Sequence, residues 1–541
     1  MAAGGMQRGM YGRAESPYNA KYLTAAFSSG SSNGAATSTA SSMAVFGLGS
    51  ETVSSGRSPA SNNALVAYTP SRGVLSCRGL WPLYVTCDVP VPYARSMADM
   101  LALLHVIATP DEEVKGDFYR EQTHAVLPKS EQTNYSKLAQ ADALRGKRIG
   151  VPKLYVGEND SDPHAKPVTV NPETISLWKR AAADLESLGA EIVYTDFPLV
   201  TNYENDSKSS EPNNVVDAPS GWNLVERSTL IAKAWSDFLA QNNDPKIKSL
   251  ADVDPLLLFP KPQNYLPDTW LEVRNWINYA GLPELEAKLK DTPINDFPGL
   301  KEVLPALEAQ RKRDLEDWMD ALKLDCVAFP AQGDVGIADL EFNLESARYS
   351  LQNGIKYSNG NRAIRHLGVP TVSVPMGVRD DIKMPVNLTF AGKAYDDEKL
   401  LAYAYAYEQK SKARIMPALT PALETDVIKR AEGSKGMQNK IELTASLEIG
   451  YQDNGLSIRV QGNIHSEQPM DGATVEIWFD GSRAAGQAID NGNWRFELDH
   501  KPERPEVLGW DLQPLRPRPV MVIVVARAYG ALTAAVLLWA Q

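Results

Sequence analysis

The alternation of apolar and polar residues changes its period near residue 440. Before that point apolar residues recur at helical spacing, as over 172–189, or form short runs typical of buried strands. Beyond it they alternate with period two, as over 441–449, which predicts half-buried strands. The pattern therefore predicts an α/β domain over 1–412, a linker over 413–439 and an all-β domain over 440–541.

Within the first region, helical patterns alternate with short apolar runs. Leu188 and Gly189 provide an end signal for the predicted helix over 172–189. A further helix is expected over 304–322, and a strand at 191–194.

The last apolar stretch, residues 520–540, allows two interpretations. Its length of about twenty residues would suit a membrane tail. Arg527 lies within it, and Gly530 divides it into VMVIVVARA and ALTAAVLLWA. Two strands of the all-β domain are the favoured interpretation.

Two loops rich in serine and glycine flank the run MAVFGLG, residues 43–49. We expect a packed helix of small residues after the first loop, and a buried strand at the run itself. That order places the loops at 28–34 and 50–58 at one edge of a sheet. Flexible linkers have a similar composition, but the apolar runs between and after these loops argue against a linker.

Three segments in fixed order resemble the amidase signature family of serine hydrolases. The family pattern is GGSSGG, then GTDxGGSIRxPA, then a segment like GxKPTxGRVS. Here these segments read SGSSNG at 29–34, GSETVSSGRSPA at 49–60 and AYTPSRGV at 67–74. Later segments, including KRIGVP at 147–152 and GVPTVSVP at 368–375, extend the resemblance over roughly residues 10–412. The resemblance implies an α/β amidase-signature fold with a central mixed sheet flanked by helices.

The resemblance also implies site residues. Ser55 would be the nucleophile, and Ser31 would be a bridging serine in a cis peptide that relays the proton to a lysine. The oxyanion hole would use backbone N–H groups of the loop, and two side chains would support it. The four N–H groups of the hole would be those of Thr52, Val53, Ser54 and Ser55 itself, and the supporting residues would be Ser32 and Arg57.

This chain departs from the family pattern at the base and at the oxyanion loop. The family places its lysine several tens of residues before the first serine loop, and that segment is absent here. Lys21, the only lysine before Ser55, is expected to be a solvated surface charge. Val53 and Ser54 replace two glycines, whose freedom at positive φ a β-branched residue lacks. The chain therefore looks truncated at its N-terminus.

Three functions remain open at this stage. The first is an amidase that cleaves a linear carboxamide through a serine acyl-enzyme, with activity in doubt because the lysine segment is absent. The second is a pseudoenzyme that keeps the fold as a binding scaffold. The third is one component of a glutamine amidotransferase, against which the extra β domain argues.

Composition changes this picture little. The net charge of −12 argues against a basic nucleic-acid-binding face. Three cysteines are too few for a disulfide framework, and six scattered histidines give no metal-ligand spacing. We therefore expect no cofactor or metal, no nucleic-acid or membrane partner and a cytoplasmic location, while the resemblance implies a small amide as substrate. A homo-oligomer is compatible with these features.

Two further predictions concern the middle and the end of the chain. Residues 491–498, NGNWRFEL, resemble a strand of bacterial immunoglobulin-like repeats, which predicts an immunoglobulin-like β-sandwich over 440–541. Aromatic residues in the divergent middle could line the substrate pocket or belong to the core. These candidates are Trp222, Trp235, Phe238, Trp270, Trp276 and Tyr279.

Overall fold

The computed structural model describes the chain except for several short segments and three longer ones. The segments outside the described residues are 1–7, 10–11, 129–132, 206–212, 255–276, 290–291, 423–439, 453–454, 468–471, 480, 490, 501–519, 529–532 and 541. The predicted pocket residues Trp270 and Trp276, and most of the predicted linker, lie outside the described part.

The described chain forms two compact units, one mainly Arg13–Leu419 and the other mainly Thr420–Gln541. The first contains an eight-stranded mixed sheet. Its strands are β3 Gly47–Glu51, β4 Val66–Thr69, β5 Val89–Ala94, β6 Arg148–Pro152, β7 Glu191–Thr195, β8 Cys326–Pro330, β9 Thr371–Val378 and β10 Pro385–Ala391. They lie in the order β3-β5-β4-β9-β10-β8-β6-β7, and among these described strands only β6 pairs in parallel, with β7 and with β8. Strands β1 Arg8–Gly9 and β2 Gly12–Arg13 form a separate two-stranded sheet.

Helices surround this sheet and cover it with apolar side chains. Asn171 caps the long helix Pro172–Ser187 by accepting the N–H of Glu173, and Gly189 follows it at φ 88°. The other α-helices are Asn33–Ala40, Arg57–Asn62, Met97–Ile107, Phe118–Glu121, Pro198–Glu204, Trp222–Glu226, Thr229–Asn242, Leu282–Leu289, Leu300–Arg311, Asp317–Leu322, Leu344–Ser350, Asn361–His366 and Asp397–Ser411. Short 3₁₀ turns lie at Tyr135–Leu138, Lys153–Val156, Leu250–Asp252, Tyr279–Gly281 and Ile294–Asp296, and a π turn at Lys312–Glu316.

The predicted α/β fold class with its central mixed sheet is confirmed. The predicted strand over the run MAVFGLG is wrong in part, because only residues from Gly47 onward pair with β5. Met43, Val45 and Leu48 are 76%, 71% and 56% exposed, so the run is not buried. The physical reason is position, since β3 lies at the end of the sheet order and has one strand neighbour.

The second unit contains two antiparallel sheets, as the period-two pattern predicts. One has the order β11-β12-β15, and the other has the order β14-β13-β16-β17. Apolar residues of both sheets form one buried cluster that includes Ile458, Ile477 and Val522. The strands are β11 Glu442–Gln452, β12 Gly455–His465, β13 Thr474–Phe479, β14 Ser482–Ala488, β15 Asn493–His500, β16 Val520–Arg527 and β17 Ala534–Ala540. The immunoglobulin-like character of this unit stays a prediction.

The stretch over 520–540 therefore forms strands β16 and β17 where it is described, as favoured above. None of the helices in the described part of the chain is both long and apolar enough to cross a membrane.

Candidate active site

Hydrogen bonds join the two serine-rich loops, which confirms that they meet at one end of the sheet. The Ser32 hydroxyl both donates to the carbonyl of Ser50 (2.8 Å) and accepts its N–H (2.9 Å). Ser29 Oγ accepts the N–H of Ser54 at 2.7 Å. The Ser58 hydroxyl accepts the N–H of Ala26, which fixes the chain just before the first loop.

Ser55 lies in the turn between β3 and the helix Arg57–Asn62, and it is 3% exposed. Its Oγ is 3.3 Å from Ser29 Oγ, and either hydroxyl can donate. The phenol of Tyr93 donates to the carbonyl oxygens of Ser55 and Gly56, both at 3.0 Å. The predicted nucleophile is therefore held from its backbone and has a hydroxyl neighbour.

Ser31, which is predicted to relay the proton of Ser55, is not paired with Ser55 in the described hydrogen bonds. Ser31 is half-buried and makes no hydrogen bond to Ser55 in the described part of the chain. The predicted cis peptide is also wrong, because no peptide bond among the described residues is cis. A trans bond is the lower-energy state for a non-proline residue, by about 3–4 kcal/mol.

Ser29 is a site residue that the sequence analysis missed. The family pattern has glycine there, so the hydroxyl was a detectable signal. Ser29 is 1% exposed and contacts both Ser54 and Ser55.

A buried ion pair shapes the predicted oxyanion loop. Glu51 Oε1 accepts Arg57 Nε at 2.9 Å, and both side chains are fully buried. Glu51 Oε2 accepts the N–H groups of Gly56 and Arg57, each at 2.9 Å. The Arg57 guanidinium also donates to the carbonyls of Val53 (2.8 Å), Asn359 (2.6 Å) and Asn361 (3.0 Å). Arg57, predicted as a supporting residue, thus connects the loop to residues 359–361.

The four predicted oxyanion donors differ in whether their N–H group already has a hydrogen-bond acceptor. The Ser54 N–H is bonded to Ser29, whereas the N–H groups of Val53 and Ser55 have no hydrogen-bond acceptor within the described part of the chain. The Thr52 hydroxyl donates to Asp88 Oδ1. The Ser54 hydroxyl accepts the N–H of Ser358 at 3.0 Å.

The first unit contains a cavity of about 1050 Å³, and Asp88 is one of the residues that line it. Its walls include Cys77, Asp117, Phe118, Lys233 and Phe238. Of the predicted pocket aromatics, Phe238 lines this cavity. Trp222 and Trp235 are buried in apolar clusters, and Tyr279 stacks on Trp235 with ring centroids 6.0 Å apart. Asp88 joins the cavity to the oxyanion loop through Thr52.

The described hydrogen bonds of the two serine hydroxyls include no base. The hydroxyls of Ser29 and Ser55 bond to each other, Ser29 Oγ also accepts the Ser54 N–H, and no titratable side chain is among the described partners of these hydroxyls. Lys21 is exposed, as expected.

A second buried polar cluster contains Cys87, Glu226, Arg362 and His366. Ligand atoms of Cys87, Glu226 and His366 lie within 4.8 Å of one another, a set that can bind a metal ion. Arg362 already forms an ion pair with Glu226, while burial lowers the pKa of His366 to about 4 and raises the pKa of Cys87 to about 11. The guanidinium is positive, the thiol keeps its proton and the imidazole is neutral. The cluster therefore fits a buried ion pair between Arg362 and Glu226 better than a metal site.

Ser32 gives a first test of how the loops are joined. Ser32→Ala removes both hydrogen bonds to Ser50 and leaves two backbone groups at the sheet edge without that partner. We expect the free energy of unfolding to fall by about 1–3 kcal/mol, measured by urea denaturation. Ser38→Ala is the control, because that hydroxyl bonds only to Ala35 within its own helix. Equal effects of the two substitutions would contradict the assigned role.

Asp88 gives a test by pH. Burial raises its pKa to about 7, although Thr52 and Leu83 donate to it. The native protein therefore keeps a proton that the unfolded chain loses near pH 4, so this contribution to stability falls as pH rises from about 4 to about 7. We expect Asp88→Asn to gain stability relative to wild type by about 1 kcal/mol per pH unit over that range.

Denaturation curves at pH 4.5, 6 and 7.5 would measure the Asp88 effect. Glu408→Gln is the comparison and should show the same trend, because burial also raises the pKa of Glu408 to about 7, in a helix that starts at Asp397. If the difference in free energy of unfolding between wild type and Asp88→Asn is the same at all three pH values, the raised pKa of Asp88 is contradicted.

Known proteins are similar to this chain over the region that contains the site. A family model described as Amidase matches residues 2–254, which include both serine loops. This part of the chain is similar to the amidase signature family. A glutamyl-tRNA(Gln) amidotransferase subunit from Fusobacterium nucleatum is 26% identical over 393 residues, covering 72% of this chain and 68% of that protein. A putative amidase from Arthroderma benhamiae is 27% identical and covers 73% of this chain, which spans 58% of that relative.

Solved amidase structures share the fold of the first unit. A peptide amidase in complex with the competitive inhibitor chymostatin is 25% identical, with a TM-score of 0.53, over 75% of this chain and 70% of its own. The native peptide amidase from Stenotrophomonas maltophilia superposes with a TM-score of 0.52 at 24% identity, with the same coverage. The chain has the amidase-signature fold, with additional C-terminal antiparallel sheets.

Proposed function

We propose that this chain cleaves a carboxamide bond through a serine acyl-enzyme, with Ser55 as the nucleophile. The observation that carries the proposal is the buried Ser55 hydroxyl beside the N–H groups of Val53 and Ser55, which have no acceptor among the described residues. Such donors stabilise the negative charge that develops on a carbonyl oxygen, and one is worth about 2.7–4 kcal/mol. The Glu51–Arg57 pair holds these donors in place before substrate arrives.

The reaction would proceed in two steps. Ser55 Oγ bonds to the carbonyl carbon, the carbon–nitrogen bond breaks, and the amine leaves with the proton that Ser55 gives up. Water then attacks the ester, releases the carboxylic acid and returns a proton to Ser55. The cavity next to Asp88 offers space for part of a small amide substrate.

The second candidate is a binding scaffold that keeps the amidase fold. The observation that favours it is that the described hydrogen bonds of the Ser29 and Ser55 hydroxyls include no titratable side chain to accept the proton. Reaction without a base would be slow, because a serine hydroxyl is a weak nucleophile until it is deprotonated.

The third candidate is an amidotransferase component that releases ammonia from glutamine for a partner protein. It rests on the similarity to the Fusobacterium nucleatum relative, whose name describes an amidotransferase.

One experiment separates the three candidates. The full chain is treated with a fluorophosphonate probe, and the modified peptide is identified by mass spectrometry. Labelling at Ser55, with hydrolysis of aryl or alkyl amides, supports the amidase. Labelling at Ser55 with ammonia released only from glutamine supports the amidotransferase component. If the folded chain labels nowhere in residues 49–60, the scaffold is supported and the proposal is overturned.

A further inference from the structure

The Ser29 hydroxyl lies between the predicted nucleophile and a predicted oxyanion donor. Its Oγ is 2.7 Å from the Ser54 nitrogen, from which it accepts a hydrogen bond, and 3.3 Å from Ser55 Oγ. All three residues are buried, with Ser29 at 1% and Ser54 at 0% exposure. The family pattern has glycine at this position, so the hydroxyl is a feature of this chain.

The first of these distances is the one expected between an oxyanion donor and a substrate oxygen. Oxyanion donors lie 2.7–3.1 Å from the oxygen that they stabilise. The Ser29 oxygen therefore occupies the Ser54 N–H as the oxygen of a bound amide would.

A proton relay is the other role for a hydroxyl beside a nucleophile. A relay needs a second partner that accepts the proton in turn. In the described part of the chain, the Ser29 side chain bonds only to the Ser54 N–H and to Ser55 Oγ. The contacts of Ser29 are thus those of a group that occupies one predicted oxyanion donor, the Ser54 N–H.

The backbone around Ser29 is fixed, so only the side chain can leave this position. The Ser29 N–H donates to the carbonyl of Ala26 at 3.2 Å, and the Ala26 N–H donates to Ser58. At Gly30 a Cβ atom would approach the Ala25 Cβ to 2.4 Å, so the next residue is packed tightly against the preceding turn. Rotation of Ser29 about χ1 is the movement that remains.

We infer that the Ser29 hydroxyl occupies one donor of the oxyanion site, the Ser54 N–H, in the resting protein and competes for it with the carbonyl oxygen of the substrate. This inference rests on the proposed function of Ser55. Substrate binding then requires that one buried hydrogen bond, Ser54 N–H to Ser29 Oγ, is exchanged for one to the substrate. Ser29 acts as a positioning residue that lowers the occupancy of the reactive complex.

Ser29→Ala and Ser29→Gly test the inference by the second-order rate of fluorophosphonate labelling at Ser55. Because the phosphoryl oxygen of the probe needs the same site, we expect both variants to label about three- to tenfold faster than wild type. Ser28→Ala is the matched control, since the described contact of Ser28 is made by its backbone, to Lys356. It should label at the wild-type rate.

A second measurement does not depend on reactivity. Hydrogen exchange of the peptide over residues 50–56 should show one amide that exchanges faster in Ser29→Ala than in wild type and Ser28→Ala, because Ser54 N–H loses its acceptor. Thermal melts confirm that each variant is folded. Unchanged exchange in Ser29→Ala would overturn the contact on which the inference depends.

The outcomes for Ser29 and for Ser55 are distinguishable. Labelling that depends on Ser55 but is equal or slower in Ser29→Ala overturns the inference, and slower labelling assigns Ser29 to the relay. Labelling that is as fast in Ser55→Ala as in wild type, or is absent from wild type, overturns the proposed function; the exchange measurement still decides whether Ser29 holds the Ser54 N–H.

Discussion

Ser55→Ala is expected to reduce amide hydrolysis by about 10⁴-fold or more, and to abolish labelling by a fluorophosphonate probe. The reason is that alanine has no atom that can form the acyl bond, and Ser29, 3.3 Å away, is held by the Ser54 N–H. The fold should survive, because Ser55→Ala removes a single long hydrogen bond. Steady-state hydrolysis of an aryl amide and a thermal melt of the same sample would measure both quantities.

Ser38→Ala is the control for the Ser55 variant, because Ser38 is a half-buried serine in the helix that follows the first loop, and its hydroxyl bonds only within that helix. It should retain wild-type hydrolysis. Residual hydrolysis in Ser55→Ala above about a tenth of the wild-type rate, with the fold intact, would mean that another group carries the reaction.

Arg57→Met should destabilise the first unit by about 3–5 kcal/mol. The substitution leaves the Glu51 carboxylate fully buried without its cationic partner, and it removes three hydrogen bonds to the carbonyls of Val53, Asn359 and Asn361. Urea denaturation followed by tryptophan fluorescence would measure the loss. Labelling at Ser55 should fall as well, because the oxyanion loop loses its shape.

Lys288→Met is the control for the Arg57 variant, because its ion pair with Glu284 is exposed on a helix surface. Exposed pairs contribute about 0–1 kcal/mol, so this change should be small. The double variant Arg57→Met with Glu51→Leu should not recover wild-type stability, because Glu51 also accepts the N–H groups of Gly56 and Arg57. Full recovery would show that the pair contributes no more than a packed apolar contact.

The sequence predicted those helices and strands whose faces and ends are determined by residues close together in the chain. The helix over 172–187 has an apolar face, an asparagine cap and a terminal glycine, and all three are present in the structure. The two serine loops could be placed together because an apolar segment of fixed length separates them. Burial of the run at 43–48 could not be predicted, because an apolar residue shows no preference between a central strand and an edge strand until its neighbours are known.

Site residues were predictable only where the sequence motif includes them. Ser55 and Arg57 follow directly from the segment at 49–60. The contact between Ser29 and Ser55 depends on side-chain rotamers and on the backbone turn at Gly30, which a motif does not specify. The cluster of Cys87, Glu226 and His366 joins three distant segments, and no local spacing signals such a contact.

The carbonyl partners of Arg57 also have a consequence for how the protein is made. Asn359 and Asn361 follow Arg57 by 302 and 304 residues. During synthesis from the N-terminus, the loop that would activate Ser55 lacks two of its guanidinium contacts until that later segment has left the ribosome. The nascent chain therefore carries Ser55 in an unfinished loop until residues 359–361 can contact Arg57.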